Sequence, residues 1–270
     1  MLRRMRLAAA ATTAAWLAAS LAGLAGAAEP GARAERQAVI DRIVAATARV
    51  SVERGGKVVN SGSGVAIAAG RDAGGAEVSY LLTAAHALEG AEGGEVVVRF
   101  TGEHAGRKLL ATIVKRGRPE QLDLALLRVT GLAAPVVPLG SEREPRLGEE
   151  IFVVGFPWGK RLGLYSGVVS QIPLDAAWPP APGDASAASL MVDAAVAKGV
   201  SGGGVFRLDG GELIGIVEAS QTTTVSVRGR TESYSVKVPM PGETFVVPLQ
   251  RIGPFLDEAA PDLATVLSTR

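Results

Sequence analysis

Four glycines surround a single hydroxyl in the stretch 198–205, which reads Lys-Gly-Val-Ser-Gly-Gly-Gly-Val. Glycine is used where the backbone must adopt a positive φ or where another molecule must approach it closely. Ser201 could therefore expose its hydroxyl while neighbouring N–H groups converge on one point. Acyl transfer needs this arrangement, because fixed donors stabilise the oxyanion of the tetrahedral intermediate. Taken alone, the stretch fits a glycine-rich turn between two strands equally well.

The chain contains only two histidines, so the base that such a serine needs has two candidates. His86 follows the apolar segment 80–83, whereas His104 lies in a sequence typical of an exposed turn. We therefore favour His86 as the base. The alternative is a histidine that is merely part of the core at the end of a buried strand.

Asp123 stands between Leu122 and Leu124 in a leucine-rich segment. An unpaired carboxylate is costly to bury there, and an imidazole N–H would satisfy it. The alternative is an aspartate that caps a turn at a strand entrance. With Ser201 as nucleophile and His86 as general base, Asp123 would fix the tautomer of the imidazole, as in the acyl-transfer triad.

The segments that must position these residues are short apolar strands separated by glycine or proline. Strands without intervening helices argue against a parallel α/β sheet, and no repeat of about 20–50 residues recurs. We therefore predict an all-β fold of two antiparallel six-stranded β-barrels joined near residue 135, with an N-terminal and a C-terminal helix. A helix that leads into a strand is expected over 35–52, a terminal helix over 249–267, a hairpin turn at 227–231 and a mobile surface loop at 176–189. The predicted strands are 57–60, 64–69, 78–83, 95–100, 108–115, 124–129, 150–154, 162–172, 190–192, 204–208, 213–220, 222–227, 231–238 and 244–248.

Residues 1–28 differ in composition from the rest of the chain. Three arginines precede an alanine-rich apolar run, and Ala25-Gly26-Ala27 fits a cleavage site. These features indicate a secretory signal peptide, with an uncleaved membrane anchor as the alternative. The absence of cysteine in an exported chain favours the bacterial periplasm or secretion. Without this segment Lys+Arg falls from 28 to 25 against 27 Asp+Glu, so we expect no nucleic-acid partner and no membrane insertion after cleavage.

Other chemistries fit the sequence less well. The segment 199–203 also matches the G-x-S-x-G pattern of α/β-hydrolases, but that fold places its histidine after the serine, and none follows Ser201. Two separated histidines without cysteine do not make a usual zinc site. No Gly-Lys-Ser/Thr follows Gly62 and Gly64 to form a phosphate loop. We therefore expect neither metal nor cofactor.

The segments 83–86, 123–127 and 199–203 carry their histidine, aspartate and serine in an order that resembles the chymotrypsin/trypsin superfamily of serine proteases. Within that superfamily the sequence is most similar to bacterial Deg/HtrA-type enzymes. The resemblance covers roughly residues 50–250. Further matching segments lie at 61–65, 154–159, 166–170, 192–195 and 211–217.

The resemblance implies hydrolysis of polypeptide substrates in a cleft between two barrels. Residues 29–135 would form the first barrel with its helix and residues 136–270 the second. It implies an oxyanion hole made by the N–H groups of Gly199 and Ser201. With alanine at the base of the specificity pocket, we expect small or medium aliphatic residues before the scissile bond. The residues implied to bind substrate are Ala195, Gly215, Ile216, Val217 and Glu218.

Three departures from the Deg pattern set limits on this analogy. Those enzymes usually carry Asn before the serine and Pro after the glycine pair, where this chain has Val200 and Gly204. Val200 lacks the carboxylate that a new N-terminal ammonium binds in digestive proteases, so we expect no zymogen cleavage beyond signal removal. We also expect no PDZ domain after the second barrel. A non-catalytic peptide-binding module, or an esterase on the same fold, is the alternative function.

Overall fold

The structure is a computed structural model that describes residues 30–140, 143–173, 188–228, 233–259 and 263. The chain divides into a unit up to Ala38 and a unit formed by Val39–Arg270. The described part of the first unit is the exposed beginning of helix α1, Pro30–Ala46. The predicted signal peptide lies outside the described residues. In the described parts of the chain, no helix is long and apolar enough to cross a membrane.

The first six strands close into a barrel in which every pairing is antiparallel. Its strand order is β1-β2-β3-β6-β5-β4. Apolar side chains recur at every second position along several of these strands, and this places one set of side chains inside the barrel. Val50, Leu81 and Leu127 are fully buried members of that interior. The bounds are β1 Thr47–Arg54, β2 Lys57–Arg71, β3 Glu77–Thr83, β4 Glu95–Phe100, β5 Leu109–Arg116 and β6 Ala125–Thr130.

The next six strands close into a second antiparallel barrel, in the order β10-β11-β12-β9-β8-β7. Val153, Val205 and Val246 are buried in its interior. Helix α2, Leu249–Asp257, follows the last strand and buries Ile252, Phe255 and Leu256. The bounds are β7 Glu150–Gly155, β8 Gly163–Gln171, β9 Leu190–Val192, β10 Gly204–Arg207, β11 Leu213–Arg228 and β12 Ser233–Pro248.

A third apolar cluster joins the two barrels. It contains Ile67 and Leu126 from the first barrel, Phe152 and Phe206 from the second, and Phe255 from α2. Burial of these large side chains fixes the barrels against each other and so fixes the groups that meet between them. The predicted all-β fold, with two six-stranded barrels and a helix at each end, is confirmed.

Several predicted elements have different bounds in the structure. The helix and the strand predicted over 35–52 are observed as α1 and β1, but α1 already begins at Pro30 and β1 ends only at Arg54. The predicted strands 57–60 and 64–69 form one continuous strand, so that Gly62 and Gly64 lie within β2 rather than in a turn. The predicted strands 213–220 and 222–227 likewise merge into β11, because bulges after Val217 and Ser220 let the strand bend without ending. Residues 229–231 of the predicted hairpin turn and 176–187 of the predicted loop lie outside the described residues.

Candidate active site

His86 lies in the 3-10 turn Ala85–Leu88, directly after strand β3. Its main-chain N–H donates to Asp123 Oδ1 at 2.8 Å, and its carbonyl accepts from Asn60 Nδ2 at 3.0 Å. The imidazole is 35% exposed. The backbone of His86 is therefore anchored by two side chains, while one side of its ring stays accessible.

Asp123 precedes strand β6, and its carboxylate is only 5% exposed. Asp123 Oδ2 lies 2.5 Å from His86 Nδ1. A carboxylate can only accept in such a contact, so Nδ1 carries the proton and Nε2 is left as the acceptor. This is the tautomer that a general base needs.

The pKa of His86 is raised above that of a free imidazole. The largest cause is the hydrogen bond to Asp123, and the negative charges of Asp123, Glu89 and Glu218 act in the same direction. Burial opposes the shift because it disfavours the charged ring. The neutral, proton-accepting form is therefore reached at a higher pH than in a free imidazole.

Ser201 lies between β9 and β10, in the segment 197–203 that we call the serine loop, and is partly buried. Its carbonyl accepts from the N–H of Ser63 at 2.8 Å. A Cβ on Gly62 would lie 2.7 Å from Ala87 Cβ and 2.9 Å from Ser201 O, so only glycine lets the His86 turn and the serine loop come this close. Among the described residues, no hydrogen bond joins the Ser201 hydroxyl to His86.

The peptide before Gly199 is held by a turn of the second barrel. Lys198 O accepts from Trp158 N at 2.6 Å. In a planar trans peptide the N–H points away from the C=O, so the Gly199 N–H points away from Trp158. Gly199 has φ +95°, and a Cβ there would lie 2.7 Å from Phe156 O. Glycine is therefore required both by the backbone conformation and by the close approach.

The peptide before Ser201 is held in the same way. Val200 O accepts from Gly203 N at 2.7 Å, so the Ser201 N–H points away from Gly203. Val200 N donates to Ala197 O at 3.2 Å and closes the loop between the two peptides. Within the described part of the chain, neither the Gly199 nor the Ser201 N–H has an acceptor.

The predicted substrate-binding residues differ in their exposure. Ala195 is exposed, whereas Gly215, Ile216 and Val217 are buried. Ile216 and Val217 direct their side chains into apolar clusters. The backbone of Val217 also reaches the serine loop, because it donates to Gly203 O and accepts from Gly202 N, each at 2.8 Å.

Glu218 follows Val217 at a bulge of β11 and is partly buried. Its Oε2 accepts from Ser189 Oγ at 3.2 Å. Burial raises the pKa of Glu218, and the negative charge of Asp123 raises it further. The Ser189 hydrogen bond and the positive charges of Arg251 and His86 act in the opposite direction. Glu218 therefore joins Asp123 and Glu89 as a carboxylate that acts on the charge of His86.

Residues 62–216 match the family model described as a trypsin-like peptidase domain, which covers more than half of the chain. The chain belongs to the trypsin-like peptidase family. It is 31% identical over 164 residues to a probable periplasmic serine endoprotease, DegP-like, of Halomonas elongata, and 30% identical over 190 residues to a protein of the same name from Hahella chejuensis. These alignments cover 61% and 68% of this chain.

The chain spans only about a third of the length of these curated relatives, 32% and 38% respectively. A crystal structure of the serine endoprotease from Yersinia pestis superposes with a TM-score of 0.60 at 22% sequence identity. That superposition covers 83% of this chain and 66% of the other, and it supports the fold alone.

The other histidine of the peptidase domain lies apart from His86. His104 ends the 3-10 turn Gly102–His104 after β4, where it lines a small cavity with Asp41 and Pro135. Within the described ranges, no three histidine, aspartate or glutamate side chains are placed to hold one metal ion.

Sequence analysis missed four residues that shape this candidate site. Asn60, Ser63 and Ser189 bind site residues through side chains, and Trp158 holds the Lys198 carbonyl. Trp158 is 66% exposed and, among the described residues, is the one non-glycine with a positive φ, at 58°. The position of Trp158 between Pro157 and Gly159 was a sequence feature that could have indicated a role at the site. The position of Ser63 within an apolar strand was a weaker indication of the same kind.

Proposed function

We propose that this chain is an exported serine endopeptidase in which Ser201, His86 and Asp123 act as a catalytic triad. Ser201 Oγ attacks the carbonyl carbon of the scissile peptide bond while His86 Nε2 takes its proton. The tetrahedral oxyanion accepts hydrogen bonds from the Gly199 and Ser201 N–H groups. His86 then gives the proton to the leaving amine, and water hydrolyses the acyl-enzyme by the same steps.

The observation that carries this proposal is the backbone of the serine loop. The carbonyls of the peptides 198–199 and 200–201 are each held by a hydrogen bond, while the N–H groups of the same peptides have no acceptor among the described residues. Unpaired donors in a partly buried loop are costly unless a ligand uses them. A site without an oxyanion to bind has no need for them.

We also propose which residues the enzyme prefers before the scissile bond and how the two barrels share the site. The pocket would have Ala195 at its base and the strand 215–218 as one wall, which favours small or medium aliphatic residues before the cut. Residues 29–135 would supply the base, and residues 136–270 the nucleophile. A peptide library cleaved mainly after lysine or arginine would contradict this specificity.

We also propose that the chain acts in the periplasm or outside the cell after removal of residues 1–28. Two observations support this: the composition of that segment, and the periplasmic names of the curated relatives. N-terminal sequencing of protein recovered from a periplasmic fraction tests it. A mature chain that still begins at Met1 contradicts it.

One observation favours a second candidate, a latent or non-catalytic peptide-binding module. No hydrogen bond joins the Ser201 hydroxyl to His86 within the described residues. Such contacts are often loose before substrate binds, so the missing bond weighs less than the loop geometry.

Parallel assays of casein and a small peptide ester, with Ser201→Ala as the matched control, separate the candidates. A serine endopeptidase hydrolyses both substrates, and the variant neither. Hydrolysis of the ester alone indicates an esterase. Binding of casein by both proteins without hydrolysis indicates the binding module.

A further inference from the structure

Ser63 lies in strand β2 of the first barrel and is completely buried. Ser63 pairs with Arg49 of β1, but the pairing of β2 with β3 starts only at Gly64, so the other edge of Ser63 can bind groups outside the sheet. Its N–H donates to Ser201 O at 2.8 Å, and its carbonyl accepts from Thr83 Oγ1 at 2.6 Å. The backbone of Ser63 thus binds the proposed nucleophile directly.

The side chain of Ser63 reaches across to the second barrel. Its hydroxyl donates to Gly199 O at 2.8 Å and accepts from Phe156 N at 2.8 Å. A serine hydroxyl has only one proton to donate, and Ser63 donates it to Gly199 O in the serine loop. The surroundings are tight, since a Cβ on Gly155 would lie 2.8 Å from Ser63 Oγ.

These contacts hold the serine loop on both sides of Val200. The Gly199 carbonyl belongs to the peptide that separates the two proposed oxyanion donors, and the Ser201 carbonyl follows the second donor. Each peptide is planar, so holding the peptide between the two donors and the peptide after them limits how the donor peptides can rotate. This restricts the angle at which the Gly199 and Ser201 N–H groups converge. One residue of the first barrel therefore sets the geometry of a loop in the second.

We infer that Ser63 is a positioning residue of the oxyanion hole: its hydroxyl holds the Gly199 carbonyl so that the two N–H donors face the oxyanion. This inference rests on the proposed function, because it assigns Ser63 a role in the same reaction. Ser63 itself is buried and does not touch the substrate. Its loss should reduce stabilisation of the transition state without reducing substrate binding.

Ser79 provides a matched control within the same barrel. It is also completely buried, its hydroxyl donates to Leu132 O at 2.6 Å, and it accepts from Ala134 N at 2.8 Å. Ser63→Ala and Ser79→Ala therefore remove the same chemistry from the same kind of environment. Only the first change touches the serine loop.

The test compares the full chain with these two variants at a temperature where circular dichroism shows all three folded. In Ser63→Ala we expect kcat on a peptide substrate to fall about 10- to 100-fold with little change in KM, less than the roughly 10²–10³-fold loss for removing an oxyanion donor outright. Affinity for a peptide boronic acid, whose tetrahedral adduct places an oxygen in the oxyanion hole, should weaken by a similar factor. Ser79→Ala should keep both values while its melting temperature falls.

An unchanged kcat in Ser63→Ala, or an equal loss in Ser79→Ala, would overturn the role of Ser63 and leave the proposed function intact. If Ser63→Ala does not fold, Ser63→Cys and Ser79→Cys repeat the comparison with a weak thiol donor, and we expect a smaller loss confined to Ser63→Cys. A wild-type chain that hydrolyses no substrate and binds no boronic acid contradicts the proposed function itself.

Discussion

The proposed base and the proposed nucleophile are held in opposite ways. His86 is held by the side chain of Asp123, which binds both its ring and its main-chain N–H. Ser201 is fixed through its backbone, because hydrogen bonds hold its carbonyl and the peptides of its loop, while its hydroxyl has no bond to His86 within the described residues. This difference indicates that the orientation of the base depends on a partner side chain, whereas the position of the nucleophile depends on the geometry of its backbone.

The largest effect should come from removing either reacting group. Ser201→Ala and His86→Ala should each lower kcat by about 10⁵–10⁶-fold, and the double variant should lose no more, because the two residues act as one unit. Steady-state kinetics on a peptide substrate measures this. His104→Ala is the control for the second histidine and should retain full activity. Additive losses would mean that the two residues do not share one step.

Asp123→Asn should have the next largest effect, about 10⁴-fold in kcat. The amide can still accept from the His86 main chain, but it offers an N–H where the ring needs an acceptor, so Nδ1 loses its proton and Nε2 gains one. Single-turnover kinetics at several pH values measures the loss.

Asp72→Asn is the control, because Asp72 binds Arg128 in an ion pair elsewhere on the first barrel. It should leave kcat unchanged. An Asp123→Asn enzyme with normal kcat would show that backbone anchoring alone orients His86.

Gly199→Ala tests the nucleophile side and should lower kcat about 10²–10³-fold, the loss expected for one oxyanion donor. The added Cβ meets Phe156 O and Trp158 N and forces the loop to move. Gly210→Ala introduces a side chain at a similar φ, +78°, with open space around it. Steady-state assays of both should show a kcat loss in Gly199→Ala alone.

The smallest expected effect is on the pH dependence of kcat/KM. An ionised Glu218 stabilises the protonated imidazole and so raises the pKa of His86. Glu218→Gln removes that charge and lowers this pKa, so the acid limb of kcat/KM against pH should move to lower pH.

Glu89 also raises the pKa of His86, but it is exposed and more strongly screened by salt. Glu89→Gln should therefore shift the acid limb in the same direction, and this shift should disappear at high salt. A shift of the Glu218→Gln profile to higher pH would contradict the assigned electrostatics.

The barrels were predictable because short valine- and leucine-rich segments separated by glycine or proline are typical of strands, as the segments around Val50 and Leu81 illustrate. Site residues were predictable where the residue type itself indicates a chemical role. Asp123 is an example, since a buried aspartate needs a hydrogen-bond donor. Ser63 was not predictable, because its role depends on a partner 136 positions away in the sequence. The conformation of Trp158 could not be predicted for the same reason. Its N–H donates to the carbonyl of Lys198, which lies in a different loop. The long strands β2 and β11 were split in the prediction because bulges and glycines read as turns.

The most direct test of the central claim is labelling of the folded chain with a fluorophosphonate probe, which reacts with an activated serine. We expect the wild-type chain to be labelled and both Ser201→Ala and His86→Ala to be unlabelled, while His104→Ala is labelled like wild type. Equal labelling of wild type and His86→Ala would contradict the claim, because Ser201 would then not depend on His86. A folded wild-type chain without label would contradict it as well and would favour the latent module.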